Sequence, residues 1–227
     1  MEKGGYGKRH YSSARYSQRK TRLGIYGKFY FQNDRATVKQ YSRIDKNHPP
    51  IYRNNLNIKT QRFHLYDIFQ IDMGTKLDKI NMQTDNPEVD FVGRANENQG
   101  VTAKVNRIDG IQPYKAGNFT LALGGALGSC FIQRNNFYTS QNVIVLTPKE
   151  DISIEAKLYL SSVIFKESQL GYKAFLNELN PHIKTDFSIP LPITETDKPN
   201  WQFMGDYIKT ITTLQSKNIQ VIRSISC

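Results

Sequence analysis

Cysteine is nearly missing from this 227-residue chain: Cys130 sits inside a strand-like run and Cys227 is the last residue. Two such residues make neither a disulfide framework nor the ligand spacing of a zinc site. No run of 18 or more apolar residues occurs, and the opening MEKGGYGKRHYSSARYSQRK lacks the apolar middle of a secretory signal. The expectation is a soluble, cytoplasmic protein with no membrane partner. Acidic side chains are scarce in one place only. Residues 1 to 60 hold 14 Lys/Arg against Glu2, Asp34 and Asp45, which is the whole net charge of +11; residues 61 to 227 carry 17 of each sign.

A local positive field of this kind favours a polyanion, through phosphate contacts and counterion release. Nine aromatics accompany the charge, among them Tyr6, Tyr11, Tyr16, Tyr26 and Tyr30, interleaved with Lys8, Arg9, Arg15, Arg19, Lys20 and Arg22. They suit stacking on bases or on protein, and a solvated tail is the plainer alternative. No amphipathic apolar face goes with the charges, which argues against a membrane surface.

The length allows one sizeable core, or a core and an appendage. Residues 1–60 read as a basic, aromatic-rich N-terminal extension, closed by the helix-disfavouring His48-Pro49-Pro50 or the polar Asn54-Asn55-Leu56-Asn57. Residues 61–227 read as the folded domain. RFHLYDIFQI, VDFVG, VTAKVNRI, FTLALGG and NVIVL have strand character and are separated by turn signals such as Asp109-Gly110. After Leu146 the period becomes helical, with starts at Thr147-Pro148-Lys149-Glu150 or at Ser153 and a helix of about three to four turns. Tyr172, Phe175, Leu176 and Leu179 recur at helical spacing, as do Met204, Tyr207, Ile208 and Ile211, and the prolines of IPLPI force extended chain between them.

Chemical motifs are absent where enzymes would need them. Neither LGGALGSCF nor any other stretch supplies the phosphate-loop or dinucleotide spacing. Gly124, Gly125 and Gly128 instead mark a turn between FTLAL and CFIQ. An amino-methyltransferase loop is approached only by Asn47-His48-Pro49-Pro50-Ile51, wrong at its first and last positions. A magnesium nuclease is approached by Pro87-Glu88-Val89-Asp90 and Glu155-Ala156-Lys157, but more than sixty residues part them and the second lies on a predicted helix. His10, His48, His64 and His182 form no metal motif.

The ordered series VDFVGRANENQGV, then GIQPYKAGNFTLALGGALGSCFIQRNNFYTSQNVIVLTPK, LGYKAFLNELNPHIKTDFSIPLPI and PNWQFMGDYIK resembles the target-recognition domains of type I restriction-modification specificity subunits. The type IIB and IIG variants are nearest. The resemblance covers residues 61 to about 210. It implies an α+β fold, a single target-recognition domain with a twisted, mainly antiparallel sheet and C-terminal helices. It also implies double-stranded DNA as ligand, and a modification methyltransferase subunit and a restriction subunit as partners, in a prokaryotic cytoplasm at the nucleoid. Catalysis and its cofactors, S-adenosylmethionine for the methyltransferase and magnesium for the nuclease, would then belong to the partners. A full specificity subunit carries two such domains. This chain has room for one, so it pairs as a half subunit in a homodimer or ends a fused enzyme.

Under that resemblance two polar clusters are the expected DNA contacts: Arg94, Asn96, Asn98 and Lys104, and Gln133, Arg134, Asn135, Asn136, Tyr138, Ser140, Gln141 and Asn142, with Lys173 further on. Asn and Gln can bond adenine bidentately, Arg can bond guanine, and hydroxyls suit phosphates. Asn and Ser are also ordinary turn residues. Phe91, Val92, Leu121, Leu123, Phe131, Val143, Val145, Leu158, Phe175, Leu176, Ile189, Trp201, Phe203 and Met204 are expected in the packing. A stand-alone nuclease and an RNA-binding protein are the competing readings.

Overall fold

A computed structural model describes residues 58–172 and 178–225, with side chains through 216. The expected N-terminal extension therefore lies almost wholly outside the described residues. The chain runs β1 (Thr60–His64), α1 (Leu65–Ile68), β2 (Phe69–Asp72), β3 (Val89–Val92), β4 (Val101–Val105), β5 (Phe119–Ala122), β6 (Cys130–Ile132), β7 (Phe137–Thr139), β8 (Val143–Pro148), α2 (Ile154–Gly171), β9 (Ser188–Pro192) and α3 (Trp201–Ile225). Strands β1 to β8 precede the long helices α2 and α3, with β9 between them, as suits an α+β fold.

The strands fall into three sheets, ordered β1-β9, β2-β8-β5-β6 and β4-β3-β7. All pairings are antiparallel except β3 with β7, which run parallel. Strand β8 is buried on both faces. Ile144 and Leu146 join the main core with Phe119, Leu121, Leu160 and Ile164, while Val143 and Val145 pack with Val92 and Phe137 of the three-stranded sheet. A third cluster, Val89, Phe91, Val105 and Tyr138, lies beyond. A near-continuous apolar run such as NVIVL is what a doubly covered strand demands.

Several sequence expectations change, and the choice between the two helix starts is decided. RFHLYDIFQI is not one strand, because a helical turn at Leu65–Ile68 divides it; Leu65 and Ile68, three apart, both reach the core in that turn, and His64 N–H is held by Asp67 Oδ2 at 3.0 Å. The long helix begins at Ser153, whose Oγ accepts from Ala156 N at 3.1 Å, because Pro148 is already paired with Phe69 in the sheet. It runs 18 residues, five turns rather than three to four, and buries Ala156, Tyr159, Leu160 and Ile164. Leu158 is 45 % exposed on its outer face and so lies outside the core. Tyr172 is extended and caps the end of that helix; Lys173, Phe175 and Leu176 lie outside the described residues.

IPLPI is a strand, and its prolines fit for a geometric reason. Ile193 N–H donates to Lys59 O at 3.1 Å, so by the period of two the N–H groups of 189 and 191 face β1. Pro190 and Pro192 thus turn away from β1, where their missing donors cost no ladder bond, and on that side Pro192 O accepts Asn200 N–H at 2.9 Å. Helix α3 buries Met204, Ile208 and Ile211 against the core and spans about 38 Å at ~1.5 Å per residue. Among the described residues no helix is long and apolar enough to cross a membrane.

Candidate nucleic-acid interface

Strands β3, β5 and β7 end close together, and the segments that leave them meet. Ser140 N–H donates to Val92 O at 2.9 Å, Leu123 N–H to Asn142 O at 2.8 Å, and Ala126 N–H to Arg94 O at 3.2 Å. These bonds join the segment 93–100 that follows β3, the glycine hairpin 123–129 and the turn 140–142. Gly125, at φ +68, lies under Arg94: a Cβ there would come within 3.0 Å of the arginine Cβ and 3.1 Å of its carbonyl. The hairpin is therefore a close-approach surface, as its glycines suggest, and no phosphate loop. Arg94 and Asn96 are exposed, as are Gln141 and Asn142, the latter at φ 59.

A fourth segment, after β2, had no place in the sequence reading. Thr75 and Thr139 interlock: Thr75 N–H donates to Thr139 Oγ1 at 2.9 Å, and Thr139 N–H to Thr75 Oγ1 at 2.8 Å. Asp72 accepts Gly74 N–H at 2.8 Å and the Tyr114 hydroxyl, whose pKa burial and this carboxylate push upward. The result is an exposed Lys76, at φ 54, one residue from Leu77, which bridges to Ser140. The turn signal Met73-Gly74-Thr75 was the only trace of it.

The residues around 133–136 join the same region through Gln99. The Gln133 side-chain nitrogen donates to Gln99 O at 2.9 Å, and Arg134 Nε and Nη2 lie 3.1 and 3.3 Å from the Gln99 side-chain oxygen in the amide orientation that satisfies both groups. Asn135 donates to Asp90 Oδ2 at 3.0 Å, and Lys104 pairs with Asp90 Oδ1 at 3.2 Å. Asp90 is 6 % exposed, so an ionised carboxylate there needs both partners. Asn136 accepts Ala116 N–H at 3.1 Å, and Asn98 Nδ2 donates to Val101 O at 3.1 Å. Asn98, Asn135 and Asn136 are therefore exposed but already employed in bracing.

Two expected contacts cannot reach a ligand. Tyr138 is fully buried, with its hydroxyl donating to Ile111 O at 2.8 Å and accepting Ile108 N–H at 3.2 Å; Gln133 is 1 % exposed. Tyr138 lies in β7, which is buried along its whole length, and Gln133 follows directly on β6, whereas the turn-like sequence around both suggested surface. Ser140 is half-buried, and Lys173 lies outside the described residues. What remains exposed on these joined segments and on the neighbouring β4 is Arg94, Asn96, Arg134, Gln141, Asn142, Lys76 and Lys104. Guanidinium and amide groups of this kind are the ones that read base edges, and the lysines suit phosphates.

The residues of the nuclease reading are dispersed. Glu155 and Lys157 are on α2, Lys157 Nζ donates to Gly117 O at 3.0 Å, and Asp90 is occupied as described. Among the described residues no three His, Cys, Asp or Glu side chains converge as a metal site.

Residues 57–223 match the family model of the type I restriction modification DNA specificity domain. The chain is 26 % identical over 170 residues to the type II restriction enzyme BgcI specificity subunit S.BcgI of Heyndrickxia coagulans, covering 74 % of this chain and 48 % of that one. Among solved structures it is similar to the type I restriction-modification S subunit from M. genitalium, with TM-score 0.54, 14 % identity, and coverage of 92 % of this chain and 50 % of that chain. A chain from a structure on complex assembly and conformational transition of the type I R-M system gives TM-score 0.56 at 13 % identity, covering 92 % and 47 %. The HsdS subunit from Thermoanaerobacter tengcongensis gives 0.50 at 11 %, covering 90 % and 48 %. The chain spans about half the length of each of these relatives.

Proposed function

This chain belongs to the type I restriction-modification DNA specificity domain family, and from that premise we propose that it selects the DNA sequence on which a restriction-modification complex acts. The observation that carries the reading is the gathering of segments 73–78, 93–100, 123–129, 133–136 and 140–142 onto one polar, arginine-bearing surface. The recognition domain is residues 61–227, and the basic residues 1–60 add sequence-independent phosphate contacts. Arg94 addresses a guanine edge, Asn96, Gln141 and Asn142 address adenines or backbone, and Lys76 holds a phosphate, while Arg134 and Lys104 brace the loops through Gln99 and Asp90.

In this reading the chain makes and breaks no bonds. A methyltransferase subunit, bringing S-adenosylmethionine, and a restriction subunit, bringing magnesium, are its partners in the cytoplasm. The chain matches about half of each relative and supplies one recognition domain, and a second such domain, from a second copy or from the rest of a fused enzyme, completes a split site. Nothing in the geometry or the comparisons favours the nuclease or RNA-binding alternatives.

The test is selection from randomised duplexes by the full chain purified with the subunits it assembles with. One sequence, or one half of a split sequence, is expected to be enriched. Arg94→Ala should cost ~1–3 kcal/mol against that sequence and relax the choice at one base position. Equal affinity for all duplexes overturns the proposal.

A further inference from the structure

Gln133 is a poor filler for the place it occupies. It is 1 % exposed, its side-chain oxygen has no partner, and its nitrogen donates to Gln99 O at 2.9 Å and Thr120 Oγ1 at 2.8 Å. A buried amide with one end unmet costs stability relative to an apolar side chain of the same size. Packing alone does not account for it, so its use is sought in what it holds.

What it holds is a turn of unusual backbone. Asn98, Gln99 and Gly100 have φ of 46, 55 and 79, three successive left-handed residues of which two carry side chains. Such a turn persists only where its surroundings over-determine it. Gly100 N–H donates to Glu97 O and Gly93 N–H to Gly100 O, both at 2.8 Å, but these bonds are internal to the segment. The Gln133 amide reaches from the end of β6 and ties the middle carbonyl of the turn to the buried sheet, with Thr120 of β5 fixing the amide from behind.

We propose that Gln133 is a positioning residue for sequence choice: a buried latch on Gln99 O that sets the segment 93–100, and with it Arg94 and Asn96, without touching DNA. This rests on the reading that the surface reads duplex DNA. Arg134 also holds the Gln99 side chain and Ala126 N–H the Arg94 carbonyl, so loss of the latch loosens the turn without removing any surface side chain.

Gln133→Met keeps the length and volume and removes both bonds. Thr120→Val removes only the rear bond and keeps the one to Gln99. Hydrogen exchange on the full chain should show the Gly93 and Gly100 amides losing about tenfold or more of their protection in Gln133→Met, with β5 and β8 unchanged and Thr120→Val near wild type. In duplex selection with the assembled complex, Gln133→Met should broaden the chosen sequence about tenfold while binding to non-cognate duplex and its salt dependence stay as they were. If Gln133→Met fails to fold, Gln133→Asn, one methylene too short for the latch, reads the same exchange. Unchanged protection at Gly93 and Gly100 overturns the latch. Loosened amides with unchanged selection, or a uniform loss on every duplex, overturn its role in sequence choice. A wild-type complex that selects no sequence sinks the DNA reading and with it that role, and the exchange result still decides the latch.

Discussion

The two sides of strand β8 belong to different kinds of structure. On one, Ile144 and Leu146 meet a broad apolar core backed by α2, β9 and α3. On the other, Val143 and Val145 meet a small lobe whose core clusters each hold four buried residues, and which is completed by polar side chains: Thr75 with Thr139, Asp90 with Lys104 and Asn135, Gln133 with Gln99. The helix-backed side gains its stability from area removed from water, which is non-directional. The lobe depends on hydrogen bonds, which are directional and specify a conformation more than they stabilise it. The polar surface lies on the lobe, where loop geometry matters most.

The largest effect is expected where the apolar side is cut. Leu160→Ala, at a site with no exposure, should destabilise by ~2–5 kcal/mol in denaturant titration, with little change in whatever sequence the folded protein selects. Removing one hydroxyl from the lobe should cost less stability. Tyr138→Phe takes away the donor to Ile111 O and leaves Ile108 N–H unpaired, for ~1–3 kcal/mol. A loss for Tyr138→Phe that exceeds the one for Leu160→Ala would reverse the ranking of the two sides.

Cys130, in the helix-backed core on β6, probes that side by chemistry. Burial pushes its thiol from the ordinary 9.0 up to about 12, so in a Cys227→Ser protein at pH 8 a thiol reagent should react only after unfolding. The sign of the linked stability follows: the thiol is neutral in both states below pH 9, and the unfolded chain ionises first above it. This contribution is therefore intact below 9 and lost as pH rises toward 12. Rapid native labelling would show that the strand opens. The smallest effect is at the lobe's rim. Asn142, at φ 59, should accept glycine with a change of about 0.5 kcal/mol or less in thermal melts, while sequence selection moves if its amide touches a base.

Much of this was written in the chain. Alternation and turn residues marked VDFVG, VTAKVNRI, FTLALGG and NVIVL as strands, the glycines marked a hairpin, and Ser153 was one of two marked helix starts, because each of these signals acts between near neighbours. The helical turn at Leu65–Ile68 was hidden since four residues fit either period, and the outward side of Leu158 was hidden because only the packing of α2 decides it. Tyr138 and Gln133 looked like surface residues amid asparagines and serines. Sequence by itself determined which residue types would be offered to a nucleic acid; tertiary structure alone decided which of them reach solvent. That choice depends on pairings such as β3 with β7, forty-odd residues apart, and no local pattern encodes contacts of that range.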